Sequence, residues 1–161
     1  MGLIFVTFNR HTSPEESTAL RLQTISNLYY VPIELPFRFE QRTITDETKK
    51  RIDRSNVVFC FSSAHPDEEF LSEIKYALEN NKIVIHVCDS KIQPSIFSHS
   101  NLFHLSVDFS TDLCSNVLNQ ISMFLVSKFG PNYNRLNVLN ALIGIHIGML
   151  SLCYFEDEDD V

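Results

Sequence analysis

"VVFCFSSAHPDEEFLSEIKYALENNKIVIHV", residues 57–87, decides the fold. Its ends, "VVFCFS" (57–62) and "KIVIHV" (82–87), are apolar, β-branched runs without strong alternation, as strands covered on both faces are. Between them "HPDEE" opens a helix. Pro66 suits its first position, and Asp67, Glu68 and Glu69 complement the positive end of the helix dipole. Phe70, Leu71, Ile74, Ala77 and Leu78 then fall on one apolar stripe at helical spacing. Glu73 lies at the edge of that stripe, a carboxylate set against the core. Strand, helix, strand in this order is the unit of a parallel sheet.

The same unit extends in both directions. "LIFVTF" (3–8) reads as the first strand. A helix follows, with Ser13 as its cap, Pro14 at its first position and Glu16 completing a capping box. "YYVPIEL" (29–35) is the second strand, and Pro32 places it at a sheet edge because proline cannot donate to a ladder. "PFRFEQR" (36–42) is a loop, and "TDETKKRIDRSN" (45–56) a short polar helix. "NLFHLSVDF" (101–109) is a fifth strand with the weaker patterning of an edge, and "TDLCSNVLNQISMFLVSKF" (111–129) a helix capped by Thr111. The expected fold is therefore α/β: a flavodoxin-like three-layer sandwich around a five-stranded parallel sheet of order 2-1-3-4-5. In such sheets ligands bind beyond the carboxyl ends of the strands, where the winding reverses. That point falls between strands one and three, at the loops 8–13 and 62–67.

The 161 residues divide into an α/β domain over 1–130 and a C-terminal element over 131–161. With 44% hydrophobic and 20% charged residues the chain can build a full core. A formal net charge of −7 argues against a nucleic-acid-coating surface and leaves room for a small anion held by a local cluster. Cys60, Cys88, Cys114 and Cys153 form no C-x-x-C pair and are expected reduced and buried, as in a cytoplasmic protein. The first residues, "MGLIFVTFNR", carry neither the pattern of a secretory leader nor that of a myristoylation signal.

Glu73 has two readings. It can snorkel to solvent or cap a loop, or it can orient ribose hydroxyls and stabilise an oxocarbenium-like centre at the crevice. Arg10, just after the first strand, is either a phosphate ligand or a solvated surface charge. Arg38 and Arg42 are weaker candidates of the same kind. Phe37 and Phe39 beside them can stack on a base or fold back on the core. His65 lies at the crevice, whereas His86 reads as a satisfied sheet residue. The histidines form no metal pattern. The chain also lacks a glycine-rich dinucleotide loop, a P-loop and a nucleophile elbow.

"IFVTFNR", "ITDETKKRIDRSNVVFCFSS" and "EFLSEIKYALENNKIVIHV" together resemble a TIR domain over about residues 3–129. The resemblance implies that Glu73 is the catalytic carboxylate cleaving the nicotinamide–ribose bond of NAD, which is then substrate rather than cofactor. It implies that Phe8 and Arg10 line the NAD site, and that the loop 36–44 gates it and mediates self-association. Phe70 stands nearest to a tryptophan the family often carries before its glutamate. Stand-alone bacterial members resemble the sensors of Thoeris-type anti-phage systems, which make a linear or cyclic ADP-ribose signal for a downstream effector. "SEIKYAL" is also similar to the "EIGYA" motif of nucleoside 2-deoxyribosyltransferases, with Lys75 where glycine is usual. There the glutamate is a nucleophile on deoxyribose. A non-catalytic TIR-like interaction module is the third possibility. Phe8, Arg10, Phe37, Arg38, His65 and Phe70 are the expected substrate-binding set around Glu73.

"LNVLNALIGIHIGMLSLCYF" (136–155) is an uncharged run followed by "EDEDD". Asn137, Asn140, Ala141, Gly144, Gly148 and Ser151 form a stripe of small or polar residues that lets a second helix approach closely. The expectation is an extra apolar helix that assembles a homo-oligomer. A membrane anchor is disfavoured by Asn137, Asn140 and His146.

Overall fold

The computed structural model describes residues 3–9, 23, 33–38, 43–62, 65–91, 98–108, 120, 123 and 127. Five strands form one parallel sheet: β1 (Ile4–Phe8), β2 (Ile33–Glu34), β3 (Val57–Ser62), β4 (Ile83–Asp89) and β5 (Leu102–Val107). Their order is β2-β1-β3-β4-β5, the flavodoxin-like order expected from the strand–helix alternation. Two helices are described over several turns, α1 (Asp46–Arg54) and α2 (Glu68–Glu79). The Ser13 capping box, the Thr111 cap and the whole element 131–161 lie outside the described residues. Among the described residues no helix is long and apolar enough to cross a membrane.

β1 and β3 are buried along their whole length, which is why their sequences are apolar without alternation. Side chains on adjacent partners share a face, so the pairing register sorts the sheet into cross-strand rows. One row is Phe5, Val58, Val84 and Leu102. It packs in one core cluster with Phe70, Ile74, Ala77 and Leu78 of α2. Phe70 and Ile74 are wholly buried, each contributing about 1.5–3 kcal/mol by apolar transfer. The next row on the same face is Thr7, Cys60, His86 and His104. Beneath α2 the sheet thus changes from apolar to polar towards its carboxyl ends.

Both ends of α2 are defined by side chains. Asp67 is the N-cap, and its Oδ1 accepts from the Phe70 amide at 2.8 Å. The cap therefore falls one residue after Pro66, which stands before the helix rather than at its first position. At the other end Asn81 adopts φ 57°, a left-handed conformation that asparagine tolerates. Its amide donates to Leu78 O at 3.0 Å, and the Lys82 amide to Ala77 O at 2.9 Å, closing the helix as a Schellman motif. Asp67→Ala is expected to lower stability by about 1 kcal/mol, read as a lower urea midpoint with an unchanged slope.

α1 fixes the segment that follows β2. Thr45 caps α1 and donates its hydroxyl to Phe37 O at 2.6 Å. The Phe37 amide donates to Thr48 Oγ1 at 2.9 Å, and Arg51 Nη1 to Leu35 O at 2.8 Å. Residues 35–38 are held to the first turns of α1 by these bonds, which sets where Arg38 can reach.

Candidate functional site

The winding of the sheet reverses between β1 and β3, where the sequence places its ligand crevice. Asn9 joins the two loops there. Its Nδ2 donates to His65 O at 2.8 Å, its Oδ1 accepts from the Asp67 amide at 3.0 Å, and its own amide donates to Phe61 O at 3.3 Å. The end of β1, the end of β3 and the start of α2 are thereby tied together. Glu73 lies on α2, on the face turned to β1.

The expectation for Glu73 was an edge carboxylate, partly desolvated. Its side chain is instead 0% exposed. Burial is tolerated because both oxygens are satisfied. Arg38 Nε donates to Oε1 at 3.0 Å and Arg38 Nη2 to Oε2 at 2.9 Å, a bidentate fork. Thr7 Oγ1 also donates to Oε2. Thr7 Oγ1 in turn accepts from Arg38 Nη2 at 2.9 Å, which directs the hydroxyl proton towards the carboxylate. A sheet hydroxyl, a loop guanidinium and a helix carboxylate thus close a triangle beneath α2.

Burial raises the Glu73 carboxyl above the ordinary carboxylate value, against the hydrogen bonds and charge of Arg38 and the Thr7 hydroxyl, which lower it; Asp67 adds a further upward push. For Arg38 burial opposes the charge, but the bonds and charge of Glu73, with Glu69 and Asp67 behind them, hold the guanidinium above its usual value. Burial thus leaves this carboxylate easier to protonate than an exposed one, and the Arg38 guanidinium is the chief group that opposes it. The arginine side chain is 8% exposed. Its Cζ stands 5.1 Å over the Phe8 ring, and its Nη1 is buried with no hydrogen-bond partner among the described residues.

The other candidates are placed as follows. Phe8 underlies Arg38. Phe37 is 41% exposed, with the Arg51 guanidinium 5.6 Å over its ring. His65 is exposed at the crevice loop, where its carbonyl serves Asn9. Phe70 is in the core, its ring 6.0 Å from that of His86. Arg10, Phe39 and Arg42 lie outside the described residues. Cys60 and Cys88 are free and buried, as expected from their strands. Among the described residues no group of histidine, cysteine and carboxylate side chains is arranged to hold a metal ion.

Sequence reasoning did not find Thr7, Asn9, Ser62 or His104. The polar row continues beyond Glu73: Ser62 Oγ lies 2.6 Å from His86 Nε2, and His86 Nδ1 lies 3.1 Å from His104 Nδ1. A single hydroxyl inside "IFVTF" was the available signal for Thr7, since a buried hydroxyl requires a partner.

No protein-family model matches the chain. No curated protein matches it. Among solved structures the chain is similar to the TIR domains of the activated Roq1 resistosome directly recognizing the pathogen effector XopQ, at 15% identity and a TM-score of 0.46, over 92% of this chain and 84% of that one.

Proposed function

We propose that the protein is a TIR-like enzyme that cleaves the nicotinamide–ribose bond of NAD through Glu73. The observation that carries the reading is the Glu73 carboxylate itself: fully buried and held by fixed donors beside the point where the sheet winding reverses. Such a group balances positive charge on a ribosyl ring. As the C1′–N bond breaks, its electron pair leaves with nicotinamide, whose ring becomes neutral. Glu73 offsets the charge left on the ribosyl carbon. Water or an internal nucleophile then adds to that carbon and loses a proton, giving linear or cyclic ADP-ribose.

Arg38 stands where the ribose must act. Substrate has to displace its Nε from Oε1, and the released guanidinium, with Nη1 already lacking an acceptor, is available to a ribose or phosphate oxygen. Asp67, Glu69 and Glu73 all act electrostatically on Arg38, so this part of the crevice favours a substrate whose ring is cationic before the bond breaks, as the nicotinamidium of NAD is. A neutral nucleoside, the substrate in the deoxyribosyltransferase reading, gains less from it. Assembly through residues 136–155 and a product that reaches a downstream effector belong to the same proposal.

The test is NAD consumption with product identification at several protein concentrations. Glu73→Gln is expected to lower turnover by about a hundredfold or more. The same substitution is made together with Arg38→Met, so that no unpaired guanidinium is left behind, and circular dichroism confirms folding. Wild-type turnover in folded Glu73→Gln overturns the proposal. Base exchange on deoxynucleosides without NAD loss favours the transferase, and turnover of neither substrate favours the interaction module.

A further inference from the structure

We propose that Thr7 is a positioning residue for Glu73: its hydroxyl holds Oε2 from the sheet and so leaves Oε1 as the oxygen presented to the ribose. The proposal rests on the reading of Glu73 as the carboxylate at the reacting sugar.

The two partners of Glu73 differ in kind. Arg38 is long and sits in a loop segment, and it is the group a substrate must displace. Thr7 is a β-branched residue on the interior strand β1, 0% exposed, with a side chain restricted at χ1. Oε2 accepts from both Thr7 and Arg38, whereas Oε1 accepts from Arg38 Nε alone. When the guanidinium withdraws, Oε1 loses its only donor among the described residues and Oε2 keeps Thr7. The carboxylate is left in the same place, with one oxygen committed and the other open. Without the hydroxyl, a buried carboxylate abandoned by Arg38 would face the core with no donor among the described residues and would take up a proton.

The alternative is that Thr7 only satisfies a buried charge in the resting fold. The two roles separate by pH. The groups facing Glu73 are Arg38 from the loop, Asp67 from the start of α2 and Cys60 from β3, whose thiol is pushed up by burial and by the charge of Glu73. Thr7→Val keeps the shape of threonine and removes the donor to Oε2; it also removes one acceptor of Arg38 Nη2, which keeps its bond to Oε2. Two measurements are made on wild type, Thr7→Val and Thr7→Ser: the acid limb of NAD turnover against pH, and the titration of the Glu73 carboxyl followed by carbon-13 NMR, assigned by its absence in Glu73→Gln.

In Thr7→Val the carboxyl midpoint and the acid limb are expected to move up together by about 1 pH unit, a tenfold change in proton affinity. The maximal rate falls while KM changes little. Thr7→Ser restores both. The carboxyl titration needs no substrate. An unmoved midpoint in Thr7→Val overturns the proposal even if NAD is cleaved, and a chain inert towards NAD in which the midpoint moves overturns the glycosidase reading instead. A moved midpoint with an unmoved acid limb also overturns the proposal and leaves Thr7 a structural partner. Should Thr7→Val not fold, Thr7→Ala is read in the same way.

Discussion

Arg38→Met is expected to lower folding stability at neutral pH by about 3–5 kcal/mol, the range for removing one partner of a buried ion pair. Methionine keeps the length of the stem, so the loss is chiefly electrostatic. It leaves Glu73, which is 0% exposed, with the Thr7 hydroxyl as its remaining partner in the triangle. Burial already raises this carboxyl above its ordinary value. Without the guanidinium it rises further, and the folded variant must bind a proton that the unfolded chain at pH 7 does not. A raised folded pKa gives stability that is present below the unfolded value and lost as pH rises. The difference between variant and wild type therefore shrinks on acidification towards the ordinary glutamate range, near pH 4.3. Urea unfolding of both proteins across this range reads it directly. The double variant Arg38→Met/Glu73→Leu is expected to recover most of the loss, because neither charge is then buried alone. A difference below about 1 kcal/mol at pH 7, or one independent of pH, would show that the pair does not form.

Why the pair was not legible follows from where its members lie. The strands were readable because each buried strand is a local apolar run, and "VVFCFS" and "IFVTF" state their burial in their own residues. The order was readable because the alternation of strands and helices leaves few ways to wind a parallel sheet. Glu73 could be singled out because a carboxylate interrupts the edge of a helical stripe. Arg38 could be named only as a substrate-binding candidate, and its pairing with Glu73 could not be read. Arg38 lies 35 residues earlier, in a loop whose course depends on the Thr45 and Thr48 contacts with Phe37. Thr7 was concealed differently. Threonine is a good strand former, so one hydroxyl in an apolar strand reads as propensity rather than chemistry. The polar row of Thr7, Cys60, His86 and His104 is a property of register, and the register of parallel strands is not written in any one of them.

His86 is expected to make the protein lose stability as pH falls from about 6.5 to about 4, by about 3 kcal/mol in all. Its ring is 1% exposed, covered by Phe70 of α2 and set between Ser62 of β3 and His104 of β5. Burial first, and the neighbouring His104 second, hold its pKa down to about 4 from the ordinary 6.5. The sign follows from proton counts. Between those two values the unfolded chain binds a proton at this position and the folded chain does not, so stability rises with pH by up to about 1.4 kcal/mol per unit. Above the unfolded value both forms are neutral and the dependence ends; below the folded value both are charged and it ends again. The neutral arrangement fits the contacts. With both rings neutral, the facing Nδ1 atoms of His86 and His104 can share one proton between them, and a second on the same line would set two N–H donors against each other. Glu73 works in the opposite direction, since its raised carboxyl favours the folded state as pH falls. The two contributions are separated by substitution rather than by the wild-type curve alone. In His86→Phe, which keeps a ring against Phe70, the slope of stability against pH between about 4.5 and 6 should fall by roughly 1.4 kcal/mol per unit relative to wild type. An equal slope in the two proteins would mean that His86 titrates in the folded state as it does in the unfolded chain, and the Ser62–His86–His104 chain would then not exclude the proton.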